Sequence, residues 1–126
     1  MNDATIEQEI QAKGLTAPRV TPADIEANIA SEHFFTAMDG RNGAINSGTY
    51  VGRETPVEGD ADLAQLGLLT FCVLKLRNGF TVTGESACAS PENFDAGLGR
   101  KIARQNAVAK IWPLMGYELR SKLAGV

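Results

Sequence analysis

The side chains best suited to chemistry fall in one stretch, residues 71–123. Arg100 and Arg104 stand four apart on one face of a predicted helix, and Lys101 is adjacent. A polar connection precedes that helix, so unpaired backbone N–H groups gather near the same end, an arrangement that suits phosphate. Phe80 or Phe94 offers a ring to stack on a base. The same residues also make an ordinary solvated basic face, and composition and spacing by themselves name no function.

Other chemistries find fewer parts. A nucleophile needs a neighbouring base; Cys88 and Ser86 lie in a polar connection, while the single imidazole, His33, is distant in sequence within an aromatic run. Glu85, Glu92 and Asp95 are close together, yet Asp95 serves as a helix N-cap and Glu92 as a first-turn acid facing the helix dipole. One histidine and two cysteines without a CxxC pair are too few for a Cys/His zinc site. Gly97-Leu98-Gly99-Arg100 lacks the strand-first context and the Lys-Ser/Thr of a phosphate loop. The expectation is no catalytic residue, no metal and no cofactor.

A hairpin and a helix must position these groups. Strands are predicted over 71–77 and 80–85, joined at Asn78-Gly79 by a type I′ turn. Alternation puts Cys72, Leu74 and Leu76 on one face, and sets Phe80 and Val82 against Thr81 and Thr83. Asp95, or Ser90 before Pro91, starts a helix that Pro113 is expected to end at about Trp112. Its apolar stripe is read as Leu98, Ile102 and Ala109, with Ala103, Val108, Ile111 and Trp112, and Trp112 as core filling. Gly97 and Gly99 each cost roughly 1 kcal/mol against alanine there, which points to a close approach of backbone or ligand. Residues 113–123 form a short amphipathic piece.

Earlier in the chain, residues 3–13 spell a helix with only Ile6 and Ile10 as large apolar side chains, so it must dock on the body or on a neighbouring subunit. Thr21-Pro22 opens a second helix to about residue 30, burying Ile25 and Ile29. Residues 31–38 read as a strand. Residues 41–62, punctuated by glycines and Pro56, read as the least structured part and as an insertion over 40–62, with 44–51 as a candidate strand. The predicted fold is α+β: one domain over 1–126, an antiparallel β-sheet carrying N-terminal helices and a C-terminal basic helix, with residues 1–30, 31–85 and 86–126 as its parts.

Length and 44% apolar content allow one domain with a core. The start is polar and acidic and no apolar run reaches membrane-crossing length, so the expectation is a soluble, intracellular chain without a signal peptide. Residues 1–70 carry four basic and eleven acidic side chains, for −7; residues 71–126 carry eight and four, for +4. That division argues for charge pairing within or between subunits, or for an anionic ligand on the second half. A pI near 5.1 argues against a nucleic-acid polymer.

The run NGFTVTGESACASPENFD, continued by GRKIARQNAVAKIWPLMGYEL, resembles a family of small bacteriophage proteins, as does TPADIEANIASEHFF more loosely. The resemblance extends to Thoeris anti-defence proteins of the first type. It implies binding without cleavage of cyclic ADP-ribose isomers, glyco-cyclic ADP-ribose among them, made by host TIR-domain enzymes. For some members it implies cyclic oligonucleotides of cGAS-like (CBASS) enzymes at separate sites. It further implies homodimers that associate into hexamers in the cytoplasm of the infected bacterium. Carried onto this sequence, the resemblance assigns Phe80 to stacking, Thr83 and Ser86 to hydroxyl contacts, Asn93 and Asp95 to ribose or base edges, and Arg100, Lys101 and Arg104 to phosphates. The competing classes are a cyclic-nucleotide hydrolase and an accessory protein that binds a host protein through the basic helix.

Overall fold

The computed structural model describes residues 2–54 and 63–126. Its elements run α1 (Asp3–Ala12), α2 (Pro22–Ala27), β1 (Ile29–Thr36), α3 (Ala37–Ser47), β2 (Leu69–Leu76), β3 (Thr81–Ala87) and α4 (Ala96–Ala124). The three strands form one antiparallel sheet in the order β1-β2-β3, so the α+β expectation holds, with helices at the N-terminus and a long C-terminal helix. No described helix is long and apolar enough to cross a membrane.

Strand pairing follows from alternation, but the turn differs from the prediction. Leu74 lies opposite Val82 and Cys72 opposite Gly84. The loop therefore holds three residues: the Gly79 N–H donates to Leu76 O, the Leu76 N–H donates to Phe80 O, and Gly79 alone carries a positive φ of 90°. This is a type I turn followed by a left-handed glycine, not the predicted type I′ turn. The extra loop residue shifts the register by one and sets Val82 and Gly84 on the face of Cys72, Leu74 and Leu76.

That face carries the core. Cys72, Leu74, Leu76 and Val82 are buried against Ala103, Ala107 and Ile111 of α4, with Ile25 of α2 closing one end. The buried side of α4 is Gly99, Ala103, Ala107 and Ile111, an i, i+4 ridge of small residues ending in one large one. The predicted stripe is corrected here: Leu98 is 55% exposed and Ile102 39%, because the sheet meets the small ridge instead. A Cβ built on Gly84 would lie 2.1 Å from Ala103 O and 2.3 Å from Ala107 N, so strand and helix backbones touch there. Gly99 has a related role, its Cβ position being 3.1 Å from Thr70 Oγ1.

Two further expectations are corrected. α4 runs through Pro113 to Ala124 instead of stopping at Trp112. Proline costs an interior helix about 3 kcal/mol; Ile111 in the core, with Trp112 and Met115 packed against it on either side of Pro113, offsets that cost. α3 covers Ala37–Ser47, where the sequence reads the end of a strand at 37–38 and, from 41, an irregular stretch with a candidate strand at 44–51. The missed signal is Thr36-Ala-Met-Asp39, a reciprocal capping box of the kind that Thr21 and Asp24 make for α2. Residues 55–62 of the predicted insertion lie outside the described residues.

Candidate functional site

Asp95 caps α4 as predicted, its Oδ1 accepting from the Leu98 N–H at 2.9 Å. Ser90-Pro91 begins only a short helical turn, Pro91–Asn93. Around this junction Ser86, Asn93 and Asp95 line one hollow of about 140 Å³ together with Leu98 and Ile102. Cys88 shares it, and its thiol donates to Ser90 O at 3.1 Å.

The basic residues separate. Arg100 lines a hollow of about 90 Å³ with Phe35, Asp39 and Phe94. Lys101 and Arg104 line a cleft of about 780 Å³, bounded by Asn2–Ala4, Glu26 of α2, and Leu98, Ile102, Gln105 and Trp112 of α4. Leu98 and Ile102 border both this cleft and the Ser86 hollow, so the two adjoin on one side of the molecule.

Phe80 and Thr83 lie elsewhere. Phe80 is at the hairpin turn, 55% exposed, and lies six residue steps, roughly 20 Å along the strand, from Ser86. Thr83 pairs with Val73 and shares the sheet face turned away from α4. His33 is also on that face, opposite Val73, with its Nε2 3.1 Å from Ser31 Oγ. Ser86 pairs with Thr70 on the α4 side, so the sheet stands between the imidazole and the serine.

Arg104 is committed to carboxylates. Its NH1 and NH2 donate to both oxygens of Glu26 at 3.0 and 2.7 Å, and its Nε donates to Glu32 Oε2 at 2.8 Å. This bidentate clamp joins α2, β1 and α4 and holds the guanidinium above its ordinary value, while the Glu26 carboxyl is held below its own by the Arg104 hydrogen bonds. Among the described residues two ion pairs join the acidic first half to the basic second half, both made by Arg104, and Arg100, Lys101, Lys110 and Arg120 form no ion pair among them.

A depressed carboxyl in the folded state stabilises above its unfolded value and loses that contribution as pH falls through the folded value. The urea midpoint is therefore expected to drop on acidification below about pH 4.5, the ordinary value for glutamate. Glu26→Gln should flatten that part of the profile, read by circular dichroism at stepped pH. An undiminished slope would remove the clamp from the account of stability.

The residues that sequence reasoning missed are Trp112, Gln105 and Glu26. Trp112 packs against the core as its flanking apolar residues predict, but it also borders the cleft, and its Nε1 donates to Asp3 Oδ2 at 2.9 Å. The available signal is the spacing Leu98, Ile102, Gln105, Ala109, Trp112, a second stripe on α4 away from the sheet.

These features define a small α+β protein: a three-stranded sheet backed by one long helix, whose outer side presents an open, partly apolar cleft with cationic side chains. Residues 20–123 match the phage protein (N4 Gp49/phage Sf6 gene 66) family, and the chain belongs to it. No curated protein and no solved structure matches the chain. The match takes in α2 through most of α4 and begins after α1.

Proposed function

We propose that this phage protein sequesters cyclic ADP-ribose-type signals made by host TIR-domain enzymes, holding them intact within the infected cell as a homodimer or hexamer. Family membership supports the phage setting, and the resemblance to Thoeris anti-defence proteins supports the ligand class. One observation carries the site: Lys101 and Trp112 border a single cleft of about 780 Å³. Pockets for ligands of this size run to roughly 300–1,000 Å³, a range that the hollows holding Arg100 and Ser86 do not reach within the single chain. In this reading the indole stacks on adenine, Lys101 meets the pyrophosphate, and Gln105 and Asn2 offer polar contacts. Arg104 spends three of its five N–H donors on Glu26 and Glu32, and those carboxylates offset its charge toward a phosphate. Cyclic oligonucleotides are the second ligand class to test.

The test incubates the protein with glyco-cyclic ADP-ribose, filters away free ligand, denatures the protein by heat and separates what is released by chromatography. Intact ligand is expected from the parent chain. Lys101→Glu turns attraction into repulsion at the phosphate and should lower retention about tenfold or more, the equivalent of roughly 1.4 kcal/mol. Phe80→Ala, at the far turn, should retain ligand fully. Equal retention by Lys101→Glu would remove the cleft from the proposal, and cleaved products would replace sequestration with hydrolysis. Arg104→Ala is a poor probe, because it also cuts the tie between α2, β1 and α4.

A further inference from the structure

α1 is the least committed element of the fold. None of its residues is buried, Ile6 is 42% exposed, and the whole helix precedes the family match. It is well started, since Asn2 Oδ1 accepts from both the N–H and the hydroxyl of Thr5 at 2.8 Å. A helix of ten residues nonetheless does not persist alone in water. Contacts to the body must hold it.

Two polar contacts stand out. Arg19 NH1 and NH2 donate to the two oxygens of Glu7 at 2.5 and 2.8 Å, and Trp112 Nε1 donates to Asp3 Oδ2. Between them lies a gap of about 250 Å³ lined by Ile6, Ile10, Val20, Pro22 and Trp112. That gap opens to solvent and no residue of α1 is buried, so the helix is attached at these two contacts without being closely packed between them. The tip of the same helix, Asn2–Ala4, forms a wall of the large cleft. Just past its end Gly14 sits at φ 67° with open space around it, a natural pivot.

We infer that α1 is a hinged strap, latched through Glu7–Arg19 and Asp3–Trp112, that closes over the α4 cleft and slows the escape of its occupant. Closing rolls Ile6 and Ile10 onto Val20 and Trp112, filling the apolar gap while the tip advances on the cleft. Such a device suits a protein whose task is retention, because residence time is governed by the dissociation step. The ligand half of the inference rests on the sequestration proposal; the strap itself does not.

Trp112 is the only tryptophan, so its fluorescence reports the strap in the full chain without any ligand. The experiment compares acrylamide quenching in three proteins: the parent, Glu7→Lys, which sets a cation against Arg19, and Glu7→Lys/Arg19→Glu, which restores the pair in reverse. The single reversal should raise the quenching constant about twofold and lower the far-ultraviolet helical signal by no more than the ten residues of α1, and the double reversal should return both. Unchanged quenching in Glu7→Lys, failure of the double reversal to restore it, or global unfolding of the single variant would each overturn the strap. In the second arm, glyco-cyclic ADP-ribose should leave the single variant about tenfold faster than the parent, with association no slower. Equal release rates from all three proteins would overturn gating. If none of them binds this nucleotide, sequestration of it fails and the closure over ligand with it, while the quenching series still decides the latch.

Discussion

Gly84→Ala is expected to destabilise the protein by about 3 kcal/mol or more, at the upper end of overpacking costs. The added methyl would meet Ala103 O at 2.1 Å and Ala107 N at 2.3 Å, both backbone atoms of a helix with no side-chain freedom to give way. Relief requires α4 to retreat from β3, and Gly99, Ala103, Ala107 and Ile111 would move with it because they share its buried ridge. Gly116→Ala is the matching control. Gly116 is in the same helix with nothing within 4 Å of its Cβ position, so the change should stabilise by up to about 1 kcal/mol through helix propensity. Opposite signs in urea melts would establish backbone contact as the cause; a neutral Gly84→Ala would show that the helix floats above the sheet.

Leu74→Ala is expected to cost about 3 kcal/mol, within the usual range of 2–5 kcal/mol for a buried leucine. Leu74 is fully buried on the central strand, opposite Val82 and facing α4, so no surface side chain can collapse into the space it leaves. Its strand neighbour Val73 is half-buried on the other face, and Val73→Ala should cost about 1 kcal/mol. Folded domains are stable by only some 5–15 kcal/mol, so the first loss is a large share and the second a small one. Similar midpoints for the two variants would mean that the face turned away from α4 is as closely packed as the core.

Sheet alternation, the hairpin position, the caps at Asp95 and Thr21 and the strand beginning near Ser31 were legible because each depends on residues within a few positions of one another. Face assignment in β2 survived even though the turn type did not, since alternation has a period of two whatever the loop contains. Local reasoning failed where a distant partner outweighed propensity. Pro113 signals a helix end, but residues on both sides of it pack on the core. The capping box at Thr36 and Asp39 starts a helix through Gly40 and Gly43 that composition reads as loop.

The same division holds for the candidate site. Residue types and spacing alone determined that the second half of the chain carries an excess of cations on one helix, that Asp95 begins that helix, and that the acidic groups lie mostly elsewhere. Tertiary structure decided which cation does what: Arg104 turns to Glu26 and Glu32, more than 70 residues away in sequence, while Lys101, three residues earlier, faces the cleft with Trp112. It also separated Phe80 and Thr83 from Ser86 and Asn93, because a strand carries alternate side chains to opposite faces and its ends far apart. Charge and periodicity are properties of a local stretch, whereas a pocket is made where stretches remote in sequence meet.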